Sequence, residues 1–566
     1  MSQPNPEADD RREDGPADLL LVNGAVYTVD AARRWAQAVA VRAGRIVAVG
    51  SDDDVAALRG AASEVVDLAG RMVVPGFQDA HVHPVAAGVD LLRCSLYDVD
   101  GAEAYVAAVR AYADAHPDEA WILGGGWAMD AFPGGTPSAR LLDQAVPDRP
   151  AFLPNRDGHS AWVNSAALRL AGVTRDTPDP DDGRIERTAD GEPQGTLHEG
   201  AQSLVQRLVP EPTAEQQLEG LLEGQRRLHA LGITAWQDAI VDVDGEFGNL
   251  DAYLTAGADG TLTGRVVGAL WWDRHRGLEQ VDDLVERRAR GPAGRFRPTS
   301  VKIMQDGVCE NFTAAVLEPY LDDQGRPTRG TGISFVDPEV LREAVRRLDA
   351  LGFQVHFHAL AERAVREALD AVEAARRANG ASDGRHHLAH IQVVHPDDLP
   401  RFRELGAAAN AQPLWAAHEA QMDELTIPFL GEPRWTWQYP FRSLVRHGAM
   451  LAMGSDWAVS SADPLEEIHV AVNRRMPEGY PYRVDTHEVF LPDERLDLAT
   501  ALAAFTIGSA YVNHLDAETG SIEDGKLADL AVIDRNLFAA PPDEISAATV
   551  QLTYVEGERV YAAPDA

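Results

Sequence analysis

Two histidines one residue apart, His81 and His83, are the first place in the chain where side-chain type and spacing suggest chemistry. They end the stretch VVPGFQDAHVHP, Val73 to Pro84. Val73 and Val74 close an apolar run, Pro75 and Gly76 break it, and Phe77 to His83 read as a short extended segment. In a strand, residues i and i+2 share a face, so both imidazoles project together. Such a pair offers two neutral nitrogen ligands to a metal such as Zn²⁺. With 18 histidines in 566 residues, about 0.6 HxH pairs arise by chance, and His356 with His358 forms a second. The pair alone decides little, and the metal reading depends on further ligands downstream.

The elements that must position those ligands follow from the rest of the chain. Short alternating segments (Leu19 to Tyr27, Ala38 to Val41, Arg45 to Val49, Val65 to Leu68) predict a small β layer ahead of His81. After it, a strand-then-helix rhythm repeats. Strands are predicted at Ile233–Ala239, Arg265–Trp272, Ser300–Asp306, Phe353–Ala359, His387–Val393, Ala407–Gln412 and Met450–Asp456. With the His81 strand that makes eight, which points to a closed parallel barrel. Polar residues recur at the strand ends: His83, Asp238, Lys302, His358, His390 and Asp456. That end of a barrel is where its enzymes place their chemistry.

The expected fold is α/β: a distorted (β/α)₈ TIM barrel, a β-sandwich built by the N- and C-terminal segments, and an inserted α+β subdomain. The expected division is a disordered acidic tail over 1–18, sandwich over 19–74 and 515–566, and barrel over 75–514 with the insertion at 90–227. The tail, MSQPNPEADDRREDGPAD, is polar and Pro-rich and has no apolar core of a secretory signal.

Composition narrows the function classes. A net charge of −38 argues against nucleic acid or an anionic membrane as partner. No apolar run approaches the ~18 residues of a membrane span. Two cysteines, Cys94 and Cys309, cannot build a disulfide framework, and a cytoplasmic location is expected.

The segments PGFQDAHVHP, SVKIMQDG, FHALAERAV, HLAHIQVVHPDD and GSDWAVSSADPLEEI appear in the order used by the amidohydrolase superfamily, and most resemble its amidohydrolase-3 branch. RDGHSAWVNSAAL and GRIERTADGEPQGTL resemble that branch's insertion, and GSIEDGKLADLAVIDRN its return to the sandwich. The resemblance implies a metal-dependent hydrolase of C–N bonds with two divalent ions, zinc by preference. It implies that His81 and His83 bind the more buried ion and His358 and His390 the more exposed one. Asp456 would bind the first ion and act as general base toward a metal-bridging hydroxide. Lys302 stands where some binuclear members carry a carboxylated lysine, while an unmodified lysine paired with a carboxylate is the competing reading. HALAE replaces the branch's usual HAIGD, which leaves Glu362 without an assigned role.

VKIMQDGVCENFTAA, Val301 to Ala315, resembles the N-substituted formamide deformylase group. The expected substrate is therefore a small amide, hydrolysed to formate and an amine. Candidates for contacting it are Trp127, His159, Cys309, Glu310 and Asn311, with the loop Cys309 to Phe312 expected to block larger acyl groups. His356, two residues deeper than His358 on the same face, is expected to be a satisfied core histidine. Asp238 is a candidate acceptor for a ligand imidazole. A second copy of the chain, as a homodimer, is the expected protein partner. Two other classes compete: a catalytically idle metal-binding regulator, disfavoured by an intact Asp456, and a mononuclear deaminase, disfavoured by Lys302.

Overall fold

The computed structural model describes residues 15–97, 99–242, 248–481, 484 and 488–564. Its centre is an eight-stranded sheet in sequence order, every neighbouring pair parallel. The strands are β1 (Phe77–Val82), β2 (Ile233–Val241), β3 (Arg265–Trp271), β4 (Phe296–Met304), β5 (Gln354–Ala359), β6 (His387–His390), β7 (Ala408–Ala411) and β8 (Met450–Met453). The ends meet just past β8, where Asp456 N donates to His81 O at 2.8 Å and His83 N to Trp457 O at 3.0 Å.

Helices cover the barrel. α1 (Pro84–Leu91) and α2 (Ala214–Ala230) both belong to the first βα unit. They pack through glycines: a Cβ on Gly88 would lie 2.0 Å from Gly220 O, and one on Gly224 2.4 Å from Pro84 O. α2 starts at a capping box, Thr213 Oγ1 accepting from Gln216 N and Gln216 Oε1 accepting from Thr213 N. Losing such a cap costs about 0.5–2 kcal/mol. Residues 214–227, expected within the insertion, are therefore part of a barrel helix.

The insertion has a six-stranded sheet of its own, running from Gly183–Arg187 at one edge to Cys94–Ser95 at the other. It has two apolar cores, one around Trp127, Phe132 and Trp162 and one around Phe152, Val163 and Leu197. The termini meet as expected: Leu530–Ile533 pairs antiparallel with Met72–Pro75, and Val550–Val555 and Glu558–Ala562 extend the sheet. A four-stranded sheet packs against it over Leu21, Val39, Val41, Val532 and Leu552. Ala17 and Asp18 already lie in the first sandwich strand, Ala17–Val22, so ordered backbone begins before residue 19. Residues 1–14 of the expected tail lie outside the described residues. Among the described residues no helix is long and apolar enough to cross a membrane.

Candidate metal centre

Strand alternation aims most of the site. In β5, Val355, Phe357 and Ala359 join the apolar layer under the helices, which turns Gln354, His356 and His358 into the barrel. In β4, Val301 and Ile303 do the same and Lys302 points inward. β6 breaks the rule. His387 and His390 are three residues apart and would face opposite sides of a regular strand. His390 has φ of 76° and Ile391 40°, a left-handed turn that ends the strand and lets both rings face inward. Backbone held there costs energy and tends to mark functional positions. Asp456 is also left-handed, φ 54°, a conformation Asp tolerates better than most residues.

The closure of the barrel sets Asp456 against His81. Asp79 Oδ1 accepts from His81 N at 2.9 Å and Ser455 N at 3.1 Å, and its Oδ2 accepts from Ser455 Oγ at 2.6 Å. A Cβ on Gly454 would sit 2.5 Å from His81 N, so only glycine lets the two strands approach this closely. Asp456 Oδ1 then lies 2.9 Å from His83 Nε2 and 3.4 Å from His81 Nε2, and Oδ2 lies 3.9 Å from His390 Nδ1. Lys302 Nζ is 3.3 Å from His81 Nε2. The His390 ring sits between those of His81 and His358, with centroids 4.7 and 4.5 Å away.

One donor atom from each of His81, His390 and Asp456 lies within 4.8 Å of the others, and all three residues are buried. Among the described residues, both ring nitrogens of His390 lack a hydrogen-bond partner, and Asp456 Oδ1 approaches two ring nitrogens without an aligned hydrogen bond. An unpaired buried polar group costs about 1–3 kcal/mol. A cation would use these lone pairs, so the residues present fit a metal. Burial, with Lys302 beside it, pushes His81 down to about 3; a neutral imidazole is the form that binds metal. Burial pushes Lys302 down to about 7 against the pull of Asp456 and Asp238. Asp456 resists burial and stays far below the usual carboxylate range because of the imidazoles beside it, His83 Nε2 the nearest at 2.9 Å.

A cavity of about 500 Å³ opens over this cluster. His81, His83, Lys302, His358, His390 and Asp456 all line it, together with Asp238 and His159. Asp238 reaches it through irregularities of register in β2; bulges commonly re-aim a side chain in this way. Its carboxylate accepts from Tyr253 Oη at 2.7 Å, and burial raises it to about 6.

The insertion supplies the roof. His159 Nδ1 lies 2.9 Å from Glu199 Oε1, and its ring is 5.3 Å from that of His358. Burial opposes the charge on His159, but the Glu199 carboxylate outweighs it and lifts the imidazole to about 9. Glu199 also accepts from Asn311 Nδ2 at 3.0 Å and Thr313 Oγ1 at 2.8 Å.

The other substrate candidates take different places. Asn311 is buried and supports Glu199 instead of lining the cavity. Cys309 is buried in a small apolar cluster with Val308 and Tyr320, its thiol raised far above the usual range by burial. Glu310 accepts from Thr426 Oγ1 at 2.7 Å and lines a separate recess of about 60 Å³. Trp127 is fully buried in the insertion core, its Nε1 donating to Leu153 O at 2.8 Å. Of the five, His159 alone lines the cavity over the cluster. An aromatic in a glycine-rich loop and a loop after a strand look alike in sequence whether they face a cavity or a core.

Sequence reasoning did not single out Glu199, Asp306 or Gln237. Asp306 lies 3.5 Å from His358 Nδ1 and accepts N–H groups from Leu360, Ala361 and Ala315. It is the one acidic residue of the run SVKIMQDG and follows the end of β4, a signal that was present. Gln237 carries no such signal, because a lone glutamine in a strand is unremarkable.

A (β/α)₈ barrel with imidazoles, a carboxylate and a lysine at its C-terminal mouth defines a metal-dependent hydrolase. A family model described as the amidohydrolase family matches residues 64–561, and the chain belongs to that family. Protein LONG AFTER FAR-RED 3 of Arabidopsis thaliana is 32% identical over 554 residues, covering 96% of this chain and 92% of its own. An N-substituted formamide deformylase of Arthrobacter pascens is 29% identical over 555 residues, covering 95% and 97%. The crystal structure of an uncharacterized metal-dependent hydrolase from Pyrococcus furiosus superposes with a TM-score of 0.68 at 26% identity, covering 92% of this chain and 99% of that one.

Proposed function

We propose that this amidohydrolase cleaves the C–N bond of a small N-substituted formamide, giving formate and an amine. The observation that carries the metal-dependent part is the gathering of His81, His390 and Asp456 with unpaired donor atoms under the cavity. The deformylase relative, and the likeness of Val301 to Ala315 to that group, support the substrate class.

His81, His83, His358, His390 and Asp456 would hold two divalent ions, and zinc suits a mostly imidazole set. Such ions, when bound, supply Lewis acidity toward the carbonyl oxygen and a water activated near neutral pH. Asp456 stays ionised and has an oxygen without an aligned hydrogen bond. It takes the proton of the attacking water and hands it to the leaving nitrogen, a role worth about 10²–10⁴ in rate. Lys302, lowered to about 7, is partly uncharged near neutral pH. Its free amine can add to carbon dioxide, losing a proton and forming a carbamate that would contribute a second negative charge to the site. His159, held by Glu199 with its ring beside that of His358, lines the cavity and is suited to binding the carbonyl side of the substrate.

With Cys309 and Asn311 turned into the protein, restriction of the acyl side falls to Met304 at the end of β4 and to the His159 ring, both on the cavity wall. One misfitting methylene is worth about 1–3 kcal/mol, so an acetamide should react roughly 10- to 200-fold more slowly than the matching formamide. The test is kcat/KM for formamide, acetamide and propionamide sharing one benzylamine. A flat series, or faster turnover of the larger acyl groups, rejects the deformylase reading.

A further inference from the structure

Below the metal cluster, the barrel interior is filled by a column of amides and imidazoles that the reaction itself does not use. His356 Nε2 lies 2.8 Å from His81 Nδ1, and His356 Nδ1 lies 2.6 Å from Gln237 Oε1. Gln237 Oε1 also meets His387 Nε2 at 3.0 Å. Gln237 Nε2 donates to Gln354 Oε1 and to Asn513 Oδ1, both at 3.1 Å. Every one of these side chains is buried.

The direction of each hydrogen bond is fixed from both ends. Gln354 Nε2 donates to two backbone carbonyls at the floor of the barrel, Val512 O at 2.6 Å and Arg385 O at 3.0 Å. A carbonyl can only accept. Gln354 must therefore turn its NH₂ to the floor and its oxygen to Gln237. Gln237 in turn presents NH₂ to Gln354 and its oxygen to the imidazoles. The second anchor agrees. Asn410 Nδ2 donates to Ala80 O at 2.9 Å and lies 3.1 Å from His387 Nδ1. That makes His387 Nδ1 the acceptor and Nε2 the N–H, which again needs an oxygen on Gln237. His356 then carries its proton on Nδ1 and accepts on Nε2. His81 must carry its proton on Nδ1, which leaves Nε2, the nitrogen beside Asp456 and Lys302, with a free lone pair.

We propose that Gln237 and His356 are positioning residues that fix the tautomer of His81, through a hydrogen-bond relay anchored on the carbonyls of Val512 and Arg385 at the opposite end of the barrel. A flipped Gln237 amide would reverse the relay and put a proton on His81 Nε2, the wrong nitrogen for a ligand. The functional meaning rests on His81 being a metal ligand; the tautomer itself does not. Partners that orient a ligand imidazole are commonly worth 10- to 100-fold in metal affinity.

The first measurement is ¹⁵N NMR of the metal-free full chain with labelled histidine, the His81 signals assigned through His81→Gln. A protonated Nδ1 and a bare Nε2 at His81 is the expected result, and the opposite tautomer or a mixture overturns the relay. The second is Zn²⁺ affinity by chelator competition in two variants. Gln237→Glu keeps an oxygen toward the imidazoles, loses one of the two donors toward Gln354 and Asn513, and should bind Zn²⁺ closer to the wild type than Gln237→Met does. Gln237→Met keeps the size, loses the acceptor and should bind 10- to 100-fold more weakly. Equal affinity in Gln237→Met and wild type, or equal weakening in both variants tracking a loss of melting temperature, overturns the proposal. If either variant does not fold, the wild-type spectrum still decides. A wild-type chain that binds no Zn²⁺ defeats the metal reading alone, because the tautomer is read without metal.

Discussion

Replacing Asp456 by asparagine removes one charge and almost no volume, so it separates catalysis from folding. Asp456 sits at φ 54°, where asparagine is also tolerated, whereas alanine would add roughly 1–2 kcal/mol of strain. The carboxylate is flanked by His83 at 2.9 Å, His81 at 3.4 Å and His390 at 3.9 Å. On the proposed mechanism its loss removes the proton carrier, about 10²–10⁴ in rate, equivalent to about 3–5 kcal/mol of transition-state stabilisation. It also removes a negative charge from the ligand set, so metal retention should fall. The assay is kcat on a formamide, with metal content by elemental analysis and melting by calorimetry on the same preparation. Asp456→Asn should fold, melt close to the wild type and lose at least a hundredfold in kcat. Near wild-type turnover would show that the proton is handled elsewhere and refute the assignment.

Lys302→Ala should lose metal and activity together, and a small carboxylic acid in excess should restore part of both by occupying the place of a carbamate; no rescue, with an unmodified ammonium seen in an active crystal, counts against carboxylation. Metal analysis of protein purified without chelator should give more than one equivalent per chain, and full activity at a single equivalent removes the binuclear reading. In the insertion, the hydrogen bond from His198 holds Glu186 down to about 2. A depressed carboxylate stabilises the fold above its ordinary value of 4.5 and loses that contribution as pH falls toward 2. The melting temperature of Glu186→Gln should therefore converge on that of the wild type as pH drops from 4.5 toward 2; a constant difference would show that the pairing is not responsible.

The barrel was legible because short apolar strands alternate with helices eight times and six of those strands carry a polar residue near their ends, as Lys302 in SVKIMQ and His358 in QVHFHA. Strand-face alternation correctly put His356 on the same face as His358 and deeper, yet what it does there was not legible. Its partner Gln237 lies 119 residues away, and no local pattern announces that hydrogen bond. The structure departs from the boundary at residue 227 because α2 belongs with α1 through tertiary contacts, Gly220 against Gly88 and Gly224 against Pro84, that span the whole insertion. Trp127 and Cys309 misled for a related reason. Residue type gives the capacity to line a cavity, while tertiary packing decides whether the side chain faces a cavity or a core. His390 was singled out by its motif, but its inward aim depends on a left-handed backbone that the sequence HLAHI does not advertise.

The central claim, hydrolysis that depends on metal held by the His81–His390–Asp456 cluster, is tested most directly by formate release from an N-benzylformamide before and after metal removal. Dialysis against a strong chelator should abolish formate release, and returning Zn²⁺ should restore it in the wild type but not in Asp456→Asn. Undiminished formate release from metal-free protein would contradict the account.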